Sequence, residues 1–465
     1  MILVNTASIK ITKFHQHHKS FNQIEFKLVL TDDLLNHFLI PEVWNDLENS
    51  LTETDKTQPA GSVGKTSGKR FVPAIVFNVF ALNVTNLTLT LLTREIGTTF
   101  FGSDTQATVG ITSQLSTIGF AAAVATGIAM GILAIRFGHK SLLMTGILLQ
   151  IISAAGAFLS PTFPWLLTFF ALEGVGSVLS GVAFVTLIGD FLHQNRKAKA
   201  VSYITAALSL AGFAGARLIP IVAGLGTWRY SYLLLGLPFA VAALAVSHFG
   251  IPSRSHEHKP EVSKKEYIRS FKHVFLNKSA AACLLASLFF SGTIGLFAIN
   301  FLRQQFWLDL PLPLQVQYAS YVAMVSTLLF AVGSLVAGRL ANKYGVKTLT
   351  VVGLLGDGVF ITLLFFAPNL WLAIAFNWLH VWSATTAGTA LSCLALDQAP
   401  TARGTMMSMK SVFGNIGNAL GPAIGGAMLI WASYSNLGLV LGAMSIIASA
   451  IILFMAKDPT RRLQE

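Results

Sequence analysis

Twelve times along its 465 residues the chain runs for about 20 residues with almost no charge. That pattern leaves few folds open. A helical run of this length matches the roughly 30 Å hydrocarbon thickness of a bilayer. In lipid a backbone group has no water to bond, so each run must satisfy its own hydrogen bonds as a helix. The runs fall at 71–93, 107–134, 141–160, 164–189, 200–223 and 230–250, then at 280–302, 318–338, 348–367, 370–394, 405–431 and 434–456. Only 11% of the residues are charged, against about 25% in soluble domains, which excludes a water-facing surface around these runs.

The basic residues give the orientation. All of the 32 Lys+Arg except Arg94, Arg217, Arg229 and Arg303 fall on the side of the polar N-terminal tail, so both termini are expected in the cytosol of a plasma-membrane protein. The net charge of +12 then orients the chain in a lipid bilayer, and no nucleic-acid partner is implied. Two cysteines, Cys283 and Cys393, both in apolar runs, rule out a disulfide framework. No nucleophile–base set or metal-ligand cluster is visible, so no enzyme activity, cofactor or metal is expected. Gly64-Lys65-Thr66 lacks the first glycine of a phosphate loop, which would fall at Pro59.

The expected organisation is a tail (1–70), a six-helix half (71–251), a cytosolic central loop (252–279), a second six-helix half (280–456) and a short C-terminal tail (457–465). The halves repeat. An offset of 207 carries Gly338 onto Gly131, Leu340 onto Leu133, Gly345 onto Gly138 and Lys347 onto Lys140, and also Asp397 onto Asp190 and Arg403 onto Arg196. Parallel repeats about an axis along the membrane normal are one known plan of transporters.

The phrases "GILAIRFGHK" (Gly131, Arg136, Gly138 and Lys140 within it) and "GRLANKYGVK" (Gly338, Asn342, Gly345, Lys347) resemble the signature loop Gly-x-Leu-Ala-Asp-Arg-x-Gly-Arg-Lys of the major facilitator superfamily. Ile135 and Asn342 stand where that loop has its acid. The resemblance implies an all-α membrane protein with twelve transmembrane helices in two pseudo-symmetric six-helix bundles. It implies alternating access as the mechanism and the first, fourth, seventh and tenth helices as the cavity lining. Gly417, Gly421, Pro422, Gly425 and Gly426 on the eleventh helix are similar to the family's antiporter motif, which its exporters usually carry on the fifth.

Charges inside spans are costly and therefore functional candidates. Glu173 on the fourth helix and His380 on the tenth are mates under the 207 offset, and in this family they would face each other across the cavity. They are candidates for proton coupling, with Asp357 on the ninth helix and Arg217 on the fifth, the latter placed to pair with Glu173. Asn83, Asn86, Asn300, Asn377, Trp378 and Trp382 are candidates for a substrate cavity suited to an amphipathic solute. The expected function is secondary transport of a small molecule, as proton-coupled export of an amphipathic or drug-like compound by a monomer. The alternatives are an uptake permease or facilitator for a small metabolite, and a non-transporting membrane sensor.

Overall fold

The computed structural model describes residues 67–191, 194–251, 272, 274–293, 295–400 and 402–457. The N-terminal tail, the central loop apart from a few residues at its end, and the last eight residues lie outside them, with the expectations placed there. Among the described residues the regular structure is all helical, in twelve passes. They are α1a (Ser67–Asn83) with α1b (Thr88–Phe101), α2a (Gln106–Thr112) with α2b (Gln114–Arg136), α3 (His139–Leu159), α4 (Phe163–Phe191) and α5 (Gln194–Ala223). The sixth pass opens with a wide π-helical turn, Ser231–Gly236, and continues as α6 (Leu237–Gly250). The second half holds α7a (Lys278–Ser291) with α7b (Leu296–Phe306), α8 (Leu312–Tyr344), α9 (Val346–Phe365), α10 (Leu370–Gln398), α11 (Arg403–Trp431) and α12 (Tyr434–Met455).

Among the described residues, ten of these passes are long and apolar enough to cross a membrane by length and composition alone. The other two, α10 and α11, have 29 residues each and carry the polar groups that dilute their hydropathy, among them Asn377, His380 and Lys410. Within each half the third and fourth helices of the repeat make the broadest contact, α3 with α4 and α9 with α10. Between halves α2 packs on α11, and α5 on α8; the 207 offset relates those two pairs. Two passes are broken at matching depth. α1 stops at Asn83 and resumes at Thr88, and α7 stops at Ser291 and resumes at Leu296.

One end of the helical unit carries the start of α1a, the end of α12 and the two signature turns; the other is called distal below. The two turns use their glycines differently. Gly345, between α8 and α9, sits at φ 85°, ψ 143°, a region that only glycine enters without strain. Gly138, between α2b and α3, sits at φ −64°, ψ 144°, which any residue adopts. Gly345→Ala should therefore cost about 1–3 kcal/mol, and Gly138→Ala less than about 0.5 kcal/mol. Thermal unfolding of the two purified variants in one detergent checks the difference, and equal loss would refute it.

Candidate functional site

Three clusters of polar side chains stand out among the described residues of the bundle. One lies in each half beside the broken helix, and one joins the halves at the distal end.

In the second half His380 starts the cluster. It lies ten residues into α10, about 15 Å from that helix's distal end, and is 3% exposed. Its Nδ1 stands 2.7 Å from Oδ1 of Asp357 on α9, which is wholly buried. The two atoms do not align as a straight hydrogen bond, so the contact is an ion pair that attracts only when the imidazole carries its proton. The other carboxylate oxygen of Asp357 faces the hydroxyl of Thr293 at 3.2 Å. Thr293 lies in the break of α7, and its single proton is shared with the carbonyl of Phe290 at 2.7 Å.

In the first half Glu173 starts the cluster. It lines a cavity of about 20 Å³ together with Leu82, Thr85, Gln150, Ser153 and Tyr232. Thr85 lies in the break of α1, and every lining residue belongs to the first half. Under the 207 offset Glu173 maps to His380 and Gln150 to Asp357. The same two helices of each repeat thus place a polar pair beside the same broken helix.

Two expectations from sequence fail here. Glu173 and His380 do not meet across a central cavity, because each is turned into its own half, toward α3 and α9 respectively. Arg217 is exposed and, among the described residues, forms no ion pair with Glu173. Depth along a helix was readable; the side each residue presents was not.

The third cluster was not foreseen. Arg94 and Arg303, each one residue past the end of an apolar run in the sequence, lie within α1b and α7b and are 1% and 0% exposed. Arg94 pairs with Asp104 and donates to the side chain of Gln315 on α8 at 3.1 Å. Arg303 pairs with Glu95 and donates to the carbonyl of Leu91 at 2.7 Å. Asn300 donates to Thr93 at 3.3 Å. Beside them Gln106 donates to the carbonyl of Ala432, and Ser113 and Gln114 to that of Pro422. Every hydrogen bond between described residues of opposite halves belongs to this distal group. Arg94 alone could have paired within its own loop; the linkage across more than 200 residues carries no local signal.

The remaining candidates are accounted for as follows. Asn83 donates to Val79 one turn back, Asn86 is exposed at the α1 break, and Asn377 donates to Ser326 on α8 at 3.3 Å. Trp378 and Trp382 are half-buried on α10. Lys140 donates to the carbonyls of His248 and Ile251 at 3.0 and 2.6 Å, so this signature lysine caps the end of α6. The side chains of Gly131's neighbour Ile132, of Ile135, Arg136 and Asn342 lie outside the described residues. Gly338 meets nothing within 4 Å of a Cβ, whereas at Gly417 and Gly421 a Cβ would overlap the carbonyl oxygens of Leu288 and Gly292. Gly425 abuts Phe297, and Gly426 abuts Gly110 and Gln114 of the other half. Lys347 sits half-buried at the start of α9. Lys410, counted from sequence with the cytosolic cations, lies inside α11 with no ion pair among the described residues.

The profile of the Major Facilitator Superfamily matches residues 71–318 and 293–465. The chain is 24% identical over 313 residues to the uncharacterized MFS-type transporter YceJ of Bacillus subtilis (strain 168), covering 67% of this chain and 78% of that one. It is 25% identical over 354 residues to the cis,cis-muconate transport protein of Acinetobacter baylyi (strain ATCC 33305 / BD413 / ADP1), covering 70% and 79%. Among solved structures it resembles a D-xylose–proton symporter with TM-score 0.68 at 14% identity, covering 84% of this chain and 98% of that one.

Proposed function

This chain belongs to the major facilitator superfamily, and from that premise we propose that it is a proton-coupled transporter exporting a small amphipathic solute by alternating closure of its two halves. The family makes it a multi-pass membrane transporter of a small molecule. The proton, the direction, the solute class, the plasma membrane and the monomeric state are the proposal.

The observation that carries it is the His380–Asp357 pair, buried at mid-helix and tied through Thr293 to the break in α7. A buried ion pair persists only with its proton in place, and removing one partner leaves an uncompensated charge. Adding a proton to Asp357 neutralises the carboxylate and leaves Phe290 as the better acceptor for the Thr293 hydroxyl. Proton occupancy thereby biases the conformation of a broken helix, which is what coupling requires. Export is supported by the similarity of Gly417–Gly426 to an antiporter motif, and an amphipathic solute by Trp378 and Trp382 on α10. Uptake of a small metabolite is the second reading. It is favoured by the position of that glycine stretch on α11 instead of α5, and by the names of two similar proteins, a muconate transport protein and a xylose–proton symporter.

The test uses proteoliposomes with an internal pH dye and a counter-flow panel of sugars, nucleosides, aromatic carboxylates and lipophilic cations. His380→Gln combined with Asp357→Asn removes both charges without stranding either. Exchange of the transported solute should persist while solute-driven proton movement falls more than about tenfold. Full proton coupling in the double variant would overturn the assignment.

A further inference from the structure

We propose that the Glu173 cavity in the first half is a binding site for one small monovalent cation of the sodium type. This rests on the reading of the chain as a cation-coupled carrier, and it assigns a second coupling ion to a site of its own.

The symmetry between the halves frames the case. In the second half the carboxylate of Asp357 has a basic partner, the imidazole of His380, which becomes a counter-charge on taking up a proton. In the first half the mates are Gln150 and Glu173, so the acid has moved to the other helix and the counter-charge is gone. An ionised carboxylate at mid-helix, half-buried and with no positive partner, is costly in a membrane protein. Among the described residues none supplies one, since Arg217 is exposed.

The small space beside Glu173 is lined instead by four neutral polar side chains, with five apolar or glycine residues completing its walls. Gln150 uses its amide nitrogen on Ser180 at 3.1 Å, which leaves its carbonyl oxygen for the cavity. Ser153 uses its proton on the Phe169 carbonyl at 2.8 Å, which leaves its lone pairs. Thr85 and Tyr232 add two hydroxyls. Ala81 and Leu82, in the last turn of α1a, also line the space, so the negative pole of that half-helix adjoins it. Unwound backbone and half-helix carbonyl ends are the places where transporters coordinate a driving cation. The opposite wall comes from the π-helical turn Ser231–Gly236, a distortion often found at functional sites.

Size and charge select the ligand. The space free for a water-sized body is about 20 Å³, which suits a single small ion. One carboxylate and several neutral oxygens balance a single positive charge, whereas calcium sites gather several carboxylates.

The experiment measures thermal unfolding of the purified full-length chain in detergent, at fixed pH and ionic strength, with sodium exchanged for potassium or choline. Sodium should raise the midpoint saturably in the wild type, and choline should not. Glu173→Gln should weaken the apparent sodium affinity more than about tenfold. Should that variant fail to fold, a second one carries the test. Gln150→Asp with Glu173→His transplants the second half's pair and should fold without responding to sodium. A wild type whose midpoint is indifferent to sodium would overturn the cation site. So would either variant that retains the full sodium response. No transport is measured here, so a failure leaves the His380–Asp357 reading to its own vesicle assay.

Discussion

Arg303→Gln should open the distal end of the bundle. Arg303 is wholly buried, grips the carboxylate of Glu95 and the carbonyl of Leu91 in the other half, and closes that end together with Arg94. Removing one partner of a buried pair costs about 3–5 kcal/mol, because the remaining charge is stranded. Glu95 is half-buried here, 19% exposed, so part of that penalty is relieved by water and the equilibrium should shift about tenfold or more toward the distally open form. Hydrogen exchange in α1b (Thr88–Phe101) and α7b (Leu296–Phe306) should then accelerate by a similar factor. Glu95→Gln with Arg303→Gln strands nothing and should restore most of the protection. Arg229→Gln is the control, since Arg229 lies at the same end but bonds Ser160 and stacks on Trp228 within its own half. Protection unchanged in Arg303→Gln would remove the distal cluster from any gating role.

The glycines of α11 should divide by what they touch. A Cβ at Gly421 would run into the backbone oxygen of Gly292 on α7, inside one half, and backbone cannot step aside as a side chain can. Gly421→Val should therefore abolish the folded protein or cost more than about 3 kcal/mol, as overpacking a tight crossing does at its upper end. Gly426 meets Gly110 and Gln114 of the opposite half, a crossing that separates whenever the distal end opens. Gly426→Val should leave each half folded and bias the protein toward the distally open form, with faster exchange in α2a (Gln106–Thr112) and little loss of expression. Comparing yield and melting of the two variants with exchange in α2a checks the division. If Gly426→Val unfolds the chain as Gly421→Val does, the crossing between halves is static packing.

Much of the fold was legible because a bilayer translates run length directly into helices. The 207 offset gave the duplication, and even α10 and α11 could be placed, although their polar residues dilute the hydropathy. The sites were legible only in depth. A rise of 1.5 Å per residue puts Glu173, His380 and Asp357 near mid-membrane, but the side each one presents depends on packing with neighbours that are distant in sequence. Glu173 was therefore expected to meet Arg217 or His380 and instead lies beside Gln150, an uncharged residue that draws no notice. Applying the offset to Asp357 would have pointed to Gln150, since 357 less 207 is 150. Arg94 and Arg303 sit near the ends of apolar runs, where a cation ordinarily reaches water. Only the meeting of α1b with α7b buries them, and no local pattern encodes that contact.

The decisive measurement is a pair of distance distributions on one reconstituted protein. With Cys283→Ala and Cys393→Ser as background, spin labels at Phe101 and Leu308 span the halves at the distal end, and labels at Phe249 and Leu276 span them at the other. All four positions are exposed. Pulsed EPR across a pH series should show the two separations changing in opposite directions, the distal one lengthening as the other shortens, with Arg303→Gln shifting both the same way as the distally open state. Distances that stay fixed at both ends, or that lengthen and shorten together, would contradict alternating closure of the two halves.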